Sequence, residues 1–422
     1  EDREGLFSAC AVNFNNMSAP SVSERGANIP FSAMRKFSPI AAKVAASGVK
    51  IVKLNIGQPD ILTPDAFWTA VSDFPKKEKT LAYAPSTGRP ELVEALVNYY
   101  AKYDINLTKN QVIVTVGGCE ALLIVMMAIT NVGDEILVVE PFYSNYSGCA
   151  AMAGISLNAI TTTPASGYRL PSRAEVEAQV TPKTRAILYA SPGNPSGTVY
   201  TKAEVDMLAA VCKDKGLFLI GDEVYREFSY DDETPVPPSA LQQKDFDQFG
   251  IIIDSASKRY SACGARIGCI ASKNADVMAA CVRLATVRLS APALEQVGVA
   301  ACINDPSIDE YTKGVIGEYI QRRDLVVNSI EKMEGISCVV PKGAFYLIAT
   351  IDGVDTNDLV RWYIEEFRDN NETLMISPCA GFYKTDGLGV NDVRIAYVLN
   401  LETLKRAMEL LDKGVQQYRA TH

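Results

Sequence analysis

Residues 251–268 read IIIDSASKRYSACGARIG. The apolar run 251–253 predicts a buried strand, which empties into a polar loop carrying Ser255, Ser257 and Lys258. Eight residues beyond the lysine stands Arg266, closely followed by Gly268. A lysine forms a Schiff base with a carbonyl. An arginine with hydroxyl neighbours holds a phosphate dianion through paired hydrogen bonds. Two hydroxyls, one amine and one guanidinium at the carboxyl end of a strand are what a phosphorylated aldehyde requires. A loop lysine is more often simply solvated, so this stretch has to be read with what precedes it.

Upstream, the pattern recurs. Apolar runs at 112–115, 135–139, 155–159, 186–190, 217–221, 251–255 and 267–271 give seven strand candidates, and most gaps between them have room for a helix. Several runs are apolar at consecutive positions, as expected where both faces of a sheet are covered. The chain is therefore read as α/β, with a large domain built on a mostly parallel seven-stranded sheet flanked by helices. Residues 1–30 read as an N-terminal arm, and 31–49 have apolar positions at helical spacing. A short strand at 51–54 ends in the turn cluster Gly57-Gln58-Pro59-Asp60, and Pro64 suits the first turn of a helix. Beyond residue 291 the chain reads as helical to about 333. Strand candidates then fall at 337–340, 344–348, near 374 and at 393–397, with helices at 357–367 and 401–418. This is an α+β pattern, so a second, smaller domain is expected from 31–64 together with 301–422, leaving 65–300 as the large domain.

Composition narrows the chemistry. With 422 residues, 48% hydrophobic and 22% charged, the chain has the make-up of a soluble globular enzyme with room for two domains. A net charge of −9 disfavours nucleic acid or an anionic membrane surface as the main partner. No apolar run is long enough to span a membrane, and the first residues lack a signal-peptide pattern. Ten cysteines are scattered without a CxxC pair, which reads as reduced thiols of a cytoplasmic protein without a zinc site. The only histidine is His422. Ser–His–Asp and Cys–His catalysis and His-ligated metals are thereby excluded from the folded body, and proton transfer falls to Lys, Tyr, Asp, Glu, Cys or water.

Four further motifs sit just beyond strand candidates, where open α/β sheets bind ligands. VTVGGCEAL at 114–122 puts Gly117, Gly118 and Cys119 at a strand-to-helix turn, where bare N–H groups suit a phosphate. Alone, it reads more readily as an ordinary strand-to-helix turn. PFYSNY at 141–146 offers Tyr143 to stack on a planar ring, or Phe142, Tyr143 and Tyr146 to the core. SPGNPSGT at 191–198 holds Asn194 between two prolines, with an amide able to donate to a phenolate. LFLIGDEVY at 217–225 puts Asp222 after a mostly apolar run, where a carboxylate needs a cation such as a protonated pyridine nitrogen. Tyr225 is placed to reach the same ligand.

In their order, these motifs and a late DVRIAY at 392–397 resemble the fold-type I aminotransferases of class I/II, the aspartate aminotransferase-like family that uses pyridoxal 5′-phosphate. The resemblance covers about residues 35–420. It implies that Lys258 binds the cofactor and shuttles a proton, that Asp222 pairs with the ring nitrogen, and that Asn194 and Tyr225 hydrogen-bond the phenolic oxygen. It implies Tyr143 stacked on the ring, and Gly118, Cys119, Ser255, Ser257 and Arg266 around the phosphate. Tyr83, in the loop YAPSTGR, resembles a tyrosine that reaches the phosphate of the neighbouring subunit, so a homodimer with shared active sites is expected. Arg394 resembles the clamp for the substrate α-carboxylate, with the Gly57 backbone and Asn194 nearby.

Substrate choice stays open on this reading. Some aspartate enzymes of this branch carry a lysine where Cys119 stands. Others use a partner-subunit arginine near the position equivalent to Thr286, which Arg283 and Arg288 flank here. The expected reaction is a ping-pong transfer from an L-amino acid, aspartate first, to a 2-oxo acid such as 2-oxoglutarate. Alanine or aromatic donors, or a β-lyase or decarboxylase reaction, remain open. A cofactor-binding DNA regulator is disfavoured by the acidic balance.

Overall fold

The computed structural model describes residues 20–30, 32, 35–231 and 233–422. Most of the expected arm, residues 1–19, lies outside them; its end carries a short exposed helix, Glu24–Asn28. Among the described residues, thirteen strands follow in chain order. These are β1 (Lys50–Lys53), β2 (Val112–Thr115), β3 (Glu135–Glu140), β4 (Ser156–Thr161), β5 (Thr184–Ala190), β6 (Phe218–Asp222), β7 (Gly250–Ser255), β8 (Gly268–Ser272), β9 (Ile336–Cys338), β10 (Tyr346–Ile351), β11 (Glu372–Met375), β12 (Ser377–Pro378) and β13 (Asp392–Ala396).

Strands β2 to β8 form one sheet in the order β2-β8-β7-β6-β5-β3-β4. All pairings are parallel except those of β8, which runs antiparallel to β2 and β7. Alternate residues of each strand feed two cores, because side chains in a strand alternate in direction. Ile187, Leu219 and Ile252 pack on one face with helices Pro90–Ala101 and Lys202–Lys215. Leu188, Ile220, Ile251 and Ile253 pack on the other with helices Gly117–Ile129 and Ala275–Arg288. Both faces are covered, so the strands read as unbroken apolar runs.

A third core lies around the antiparallel sheet β12-β13-β10-β9 and helices Ile308–Ile330, Thr356–Glu365 and Leu401–Thr421. Phe37, Val52 and Leu54 belong to it. Strand β1 pairs in parallel with β11, far along the chain. The helix expected over 31–49 is shorter, Ser38–Ala46. Pro39 has no N–H and is tolerated only in the first turn, so the helix starts beside it. The helical run expected from 291 to 333 is two helices, Ala293–Asn304 and Ile308–Ile330. Pro306 breaks it, and Asp305 Oδ1 accepts from Ser307 N at 2.8 Å and from Ser307 Oγ at 2.7 Å.

Candidate active site

The carboxyl ends of β5, β6 and β7 open into a cavity of about 560 Å³. Its wall includes Gly57, Gly118, Cys119, Tyr143, Asn194, Asp222, Tyr225, Ser255, Ser257, Lys258 and Arg266. Sequence reading therefore names residues from six separate segments that fold onto one void. Arg394 lies just behind the wall, and Tyr83 is elsewhere.

Lys258 sits in the single turn Ala256–Arg259 that follows β7. Its Nζ donates to Gly57 O at 2.7 Å and lies 3.8 Å from Cys263 Sγ. A methyl group on Gly57 would overlap the Tyr346 hydroxyl, so only glycine fits there. Tyr346 Oη is 2.9 Å from Tyr225 Oη. Beside the lysine, Arg259 is buried between Glu227 (2.7 Å) and Asp254 (2.6 Å), with the Tyr99 ring 4.2 Å from its guanidinium carbon. This paired cation fixes the turn that carries Lys258.

Asp222 ends β6 and is buried. Tyr146 Oη donates to its Oδ2 at 2.5 Å. Burial pushes the carboxyl up to about 6, against the pull of that hydrogen bond. Among the described residues it has no ion-pair partner. Asn194 lies in the buried 191–198 loop, which is tied by Gly193 N donating to Thr198 O (2.8 Å) and Tyr200 N to Ser191 Oγ (3.0 Å). Arg394, on β13, is fully buried. Its Nη1 donates to Asn194 Oδ1 at 2.9 Å and its Nη2 to Asn55 O at 2.5 Å. Its Nε has no hydrogen-bond partner, and no carboxylate pairs with it among the described residues. An unpaired buried cation is costly, which marks the position as prepared for an anion.

At the other end, helix Gly117–Ile129 opens at the cavity without a side-chain cap. Its first N–H groups are therefore available. Arg266 adopts a left-handed conformation (φ 54°), which strains a non-glycine residue. Its guanidinium lies against Gly117, donating to Cys263 O at 2.8 Å and Val116 O at 3.3 Å. Ser255 Oγ and Ser257 Oγ are 2.8 Å apart nearby.

Residues 49–411 match the sequence model of the family "Aminotransferase class I and II". The chain belongs to this family. The aspartate/prephenate aminotransferase of Thermus thermophilus is 29% identical over 393 residues, spanning 91% of this chain and 97% of the relative. Among solved structures, the aspartate aminotransferase from Thermus thermophilus with maleate superposes with a TM-score of 0.82, and the alanine aminotransferase from Pyrococcus furiosus with 0.84. Each is 26% identical and covers 94% of this chain and all of the other.

In this aminotransferase, Tyr143 borders the cavity, edge-on to Tyr146 at 5.7 Å, with its hydroxyl accepting from Asn145 Nδ2 at 2.9 Å. Cys119 makes only long contacts, 4.0 Å to Tyr143 Oη and 3.9 Å to Asn145 Nδ2. Tyr83 is 82% exposed and borders a second cavity with Leu81, Arg288 and 290–293. Arg288 is engaged within its own chain, its Nε 3.1 Å from Glu120 Oε1 and its Nη2 donating to Val114 O at 3.0 Å. The sequence reading left Tyr146 between core and site, and did not find Tyr346 or Asn55. Tyr146 follows Tyr143 by three residues at a helix start, a spacing that puts both on one face. No local signal marks the other two.

Proposed function

We propose that the chain is a pyridoxal 5′-phosphate-dependent transaminase that moves an amino group from an L-amino acid, aspartate first, to a 2-oxo acid such as 2-oxoglutarate, in two successive half-reactions. The observation that carries this reading is one void bordered by an unpaired buried carboxylate, a lysine and an arginine-flanked helix start, backed by an unpaired buried guanidinium. A ligand with a cationic ring nitrogen, a carbonyl and a phosphate fits the first three. The α-carboxylate of a substrate fits the fourth.

When bound, the cofactor ring takes up the electron pair left on the substrate α-carbon. Lys258 would hold the cofactor, and its Nζ would carry the proton from that carbon. Asp222 keeps the ring nitrogen charged. Asn194 gives its oxygen to Arg394, so its Nδ2 is left to donate to the phenolic oxygen together with Tyr225 Oη. Tyr143 covers the ring. The N–H groups of Gly118 and Cys119, the hydroxyls of Ser255 and Ser257, and Arg266 take the phosphate. Arg394 and the Gly57 backbone orient the substrate. Tyr83 from a second subunit completes the phosphate site of a homodimer. Exposed Leu81, Tyr83, Val287 and Leu289 around the second cavity support that interface. The same reading makes 65–300 the cofactor-binding domain, 31–64 with 301–422 the smaller one, and the location cytoplasmic, in keeping with its many free thiols.

The test is a half-reaction with purified holoprotein and single L-amino acids, without any oxo acid. Aspartate or glutamate is expected to bleach the visible band of the lysine-bound cofactor. Lys258→Ala is expected to lose that band and about 10²- to 10⁴-fold or more in rate. A variant that keeps both overturns the reading, and release of ammonia or CO2 points to lyase or decarboxylase chemistry instead.

A further inference from the structure

Segment 341–346 joins parts of the cavity that lie far apart in the chain. Lys342 N and Gly343 N donate to Gly197 O, at 2.9 and 2.8 Å, which holds the loop of Asn194. Ala344 N donates to Phe228 O at 2.8 Å and Tyr230 N to Lys342 O at 2.7 Å, which holds the stretch after Tyr225. Ala344 takes a left-handed backbone (φ 54°), a strain that this dense bonding sustains. Strand β10 then opens with Tyr346, buried at the cavity wall.

The Tyr346 side chain is seated against three functional positions. Its ring centre lies 4.5 Å from the Arg394 guanidinium carbon and 5.7 Å, edge-on, from the Tyr225 ring, and its hydroxyl fills the place that a Gly57 side chain would take. Among the described residues, that hydroxyl has one hydrogen-bond partner, Tyr225 Oη at 2.9 Å. Each hydroxyl has a single proton to give. In the reading above Tyr225 gives its proton to the phenolic oxygen, so it must accept from Tyr346. Tyr346 has nowhere else to donate, and a buried O–H left without an acceptor is costly. Burial holds the Tyr225 hydroxyl well above the usual tyrosine range, so it keeps the proton it donates. A hydroxyl that accepts a hydrogen bond donates a stronger one.

We propose that Tyr346 is a positioning residue that acts through Tyr225: its hydroxyl fixes the direction of the Tyr225 proton, toward the phenolic oxygen of the cofactor. The proposal rests on the cofactor reading above. It ties the electronics of a ring held by the large sheet to a residue of the smaller core.

The colour of the lysine-bound cofactor changes when the nitrogen that joins it to Lys258 loses its proton. A donor on the phenolic oxygen draws negative charge away from that nitrogen, so weakening the donor moves the colour change to higher pH. The titratable and charged groups facing the two hydroxyls are Tyr143, Tyr319, Tyr397 and Arg394, with Asp222 and Lys258 on the same wall. The variants leave all of them in place. Holoenzymes of wild type, Tyr346→Phe, Tyr225→Phe and the double variant are titrated spectroscopically. Tyr346→Phe keeps the ring and is expected to raise the inflection by about 0.5 pH unit, and Tyr225→Phe by about one unit or more. On the Tyr225→Phe background, Tyr346→Phe is expected to add nothing. No shift in Tyr346→Phe, or the same shift on both backgrounds, overturns the proposal. A wild type that forms no visible band overturns it together with the cofactor reading. A set of proteins that shifts as expected but transfers no amino group fails the transaminase reading alone.

Discussion

Asp222 ends β6 with its carboxyl buried at the cavity wall and the Tyr146 hydroxyl on one oxygen. Burial raises it from 3.8 to about 6, so the folded protein without ligand binds this proton more tightly than the unfolded chain does. The stability this contributes is complete below the unfolded value and is lost as pH rises through about 6. A ring cation bound at Asp222 needs the ionised form, so below that pH it must displace the proton. Affinity of the cofactor-free protein for pyridoxal phosphate is therefore expected to fall with pH below about 6, by about tenfold per unit at most. Asp222→Asn should bind weakly and flatten the profile. Tyr146→Phe removes a hydrogen bond that favours the carboxylate, and should move the inflection up by about one unit. Fluorescence titration across this pH range measures all three. An unmoved inflection in the phenylalanine variant would show that the tyrosine is only packing. Arg266 pairs strain with function at the same scale. Its left-handed backbone lays the guanidinium along Gly117, where any side chain would collide with it.

The turn Ala256–Arg259 puts Lys258 on the cavity side and Arg259 in a buried pair with Glu227 and Asp254. Removing one partner of a buried pair strands the others, so Arg259→Met is expected to cost about 3–5 kcal/mol in denaturant unfolding. If the loss is under about 1 kcal/mol, the pair does not anchor this turn. Strands are the most legible elements in the sequence. Most runs of the large sheet are apolar on consecutive positions, and five of the seven end in a motif that faces the same void. Helix limits are less legible because single prolines set them: Pro39 starts one helix late and Pro306 splits another. The pairing of β1 with β11 is invisible, since alternation within a strand says nothing about a partner more than three hundred residues away. Residues in named motifs, such as Lys258, Asp222 and Asn194, are legible one by one. Tyr346, Asn55 and Arg35 are not, because they come to the cavity wall, or in the case of Asn55 to Arg394 behind it, only through the packing of the smaller core against the larger sheet.

For the whole molecule, the shared sites proposed above make a prediction that no single subunit satisfies. Lys258→Ala and Tyr83→Glu proteins should each be nearly inactive, and mixing them under subunit exchange should restore about a quarter of wild-type activity, because each hybrid has one intact site. Light scattering checks that the mixture is dimeric, and a dimeric mixture without recovery means that the sites are not shared. The pairing of Lys50–Lys53 with Glu372–Met375 has a further consequence, for the order of events during synthesis. The large sheet, from Val112 to Ser272, is complete in the nascent chain long before β11 and β13 exist. Asn55 and Gly57 stay out of register until β11 and β13 have been translated, when Arg394 arrives to meet Asn194 and the Asn55 carbonyl. Lys258 is thus displayed on a finished scaffold before Tyr346 and Arg394 have been made, and the site closes only when β13 is in place.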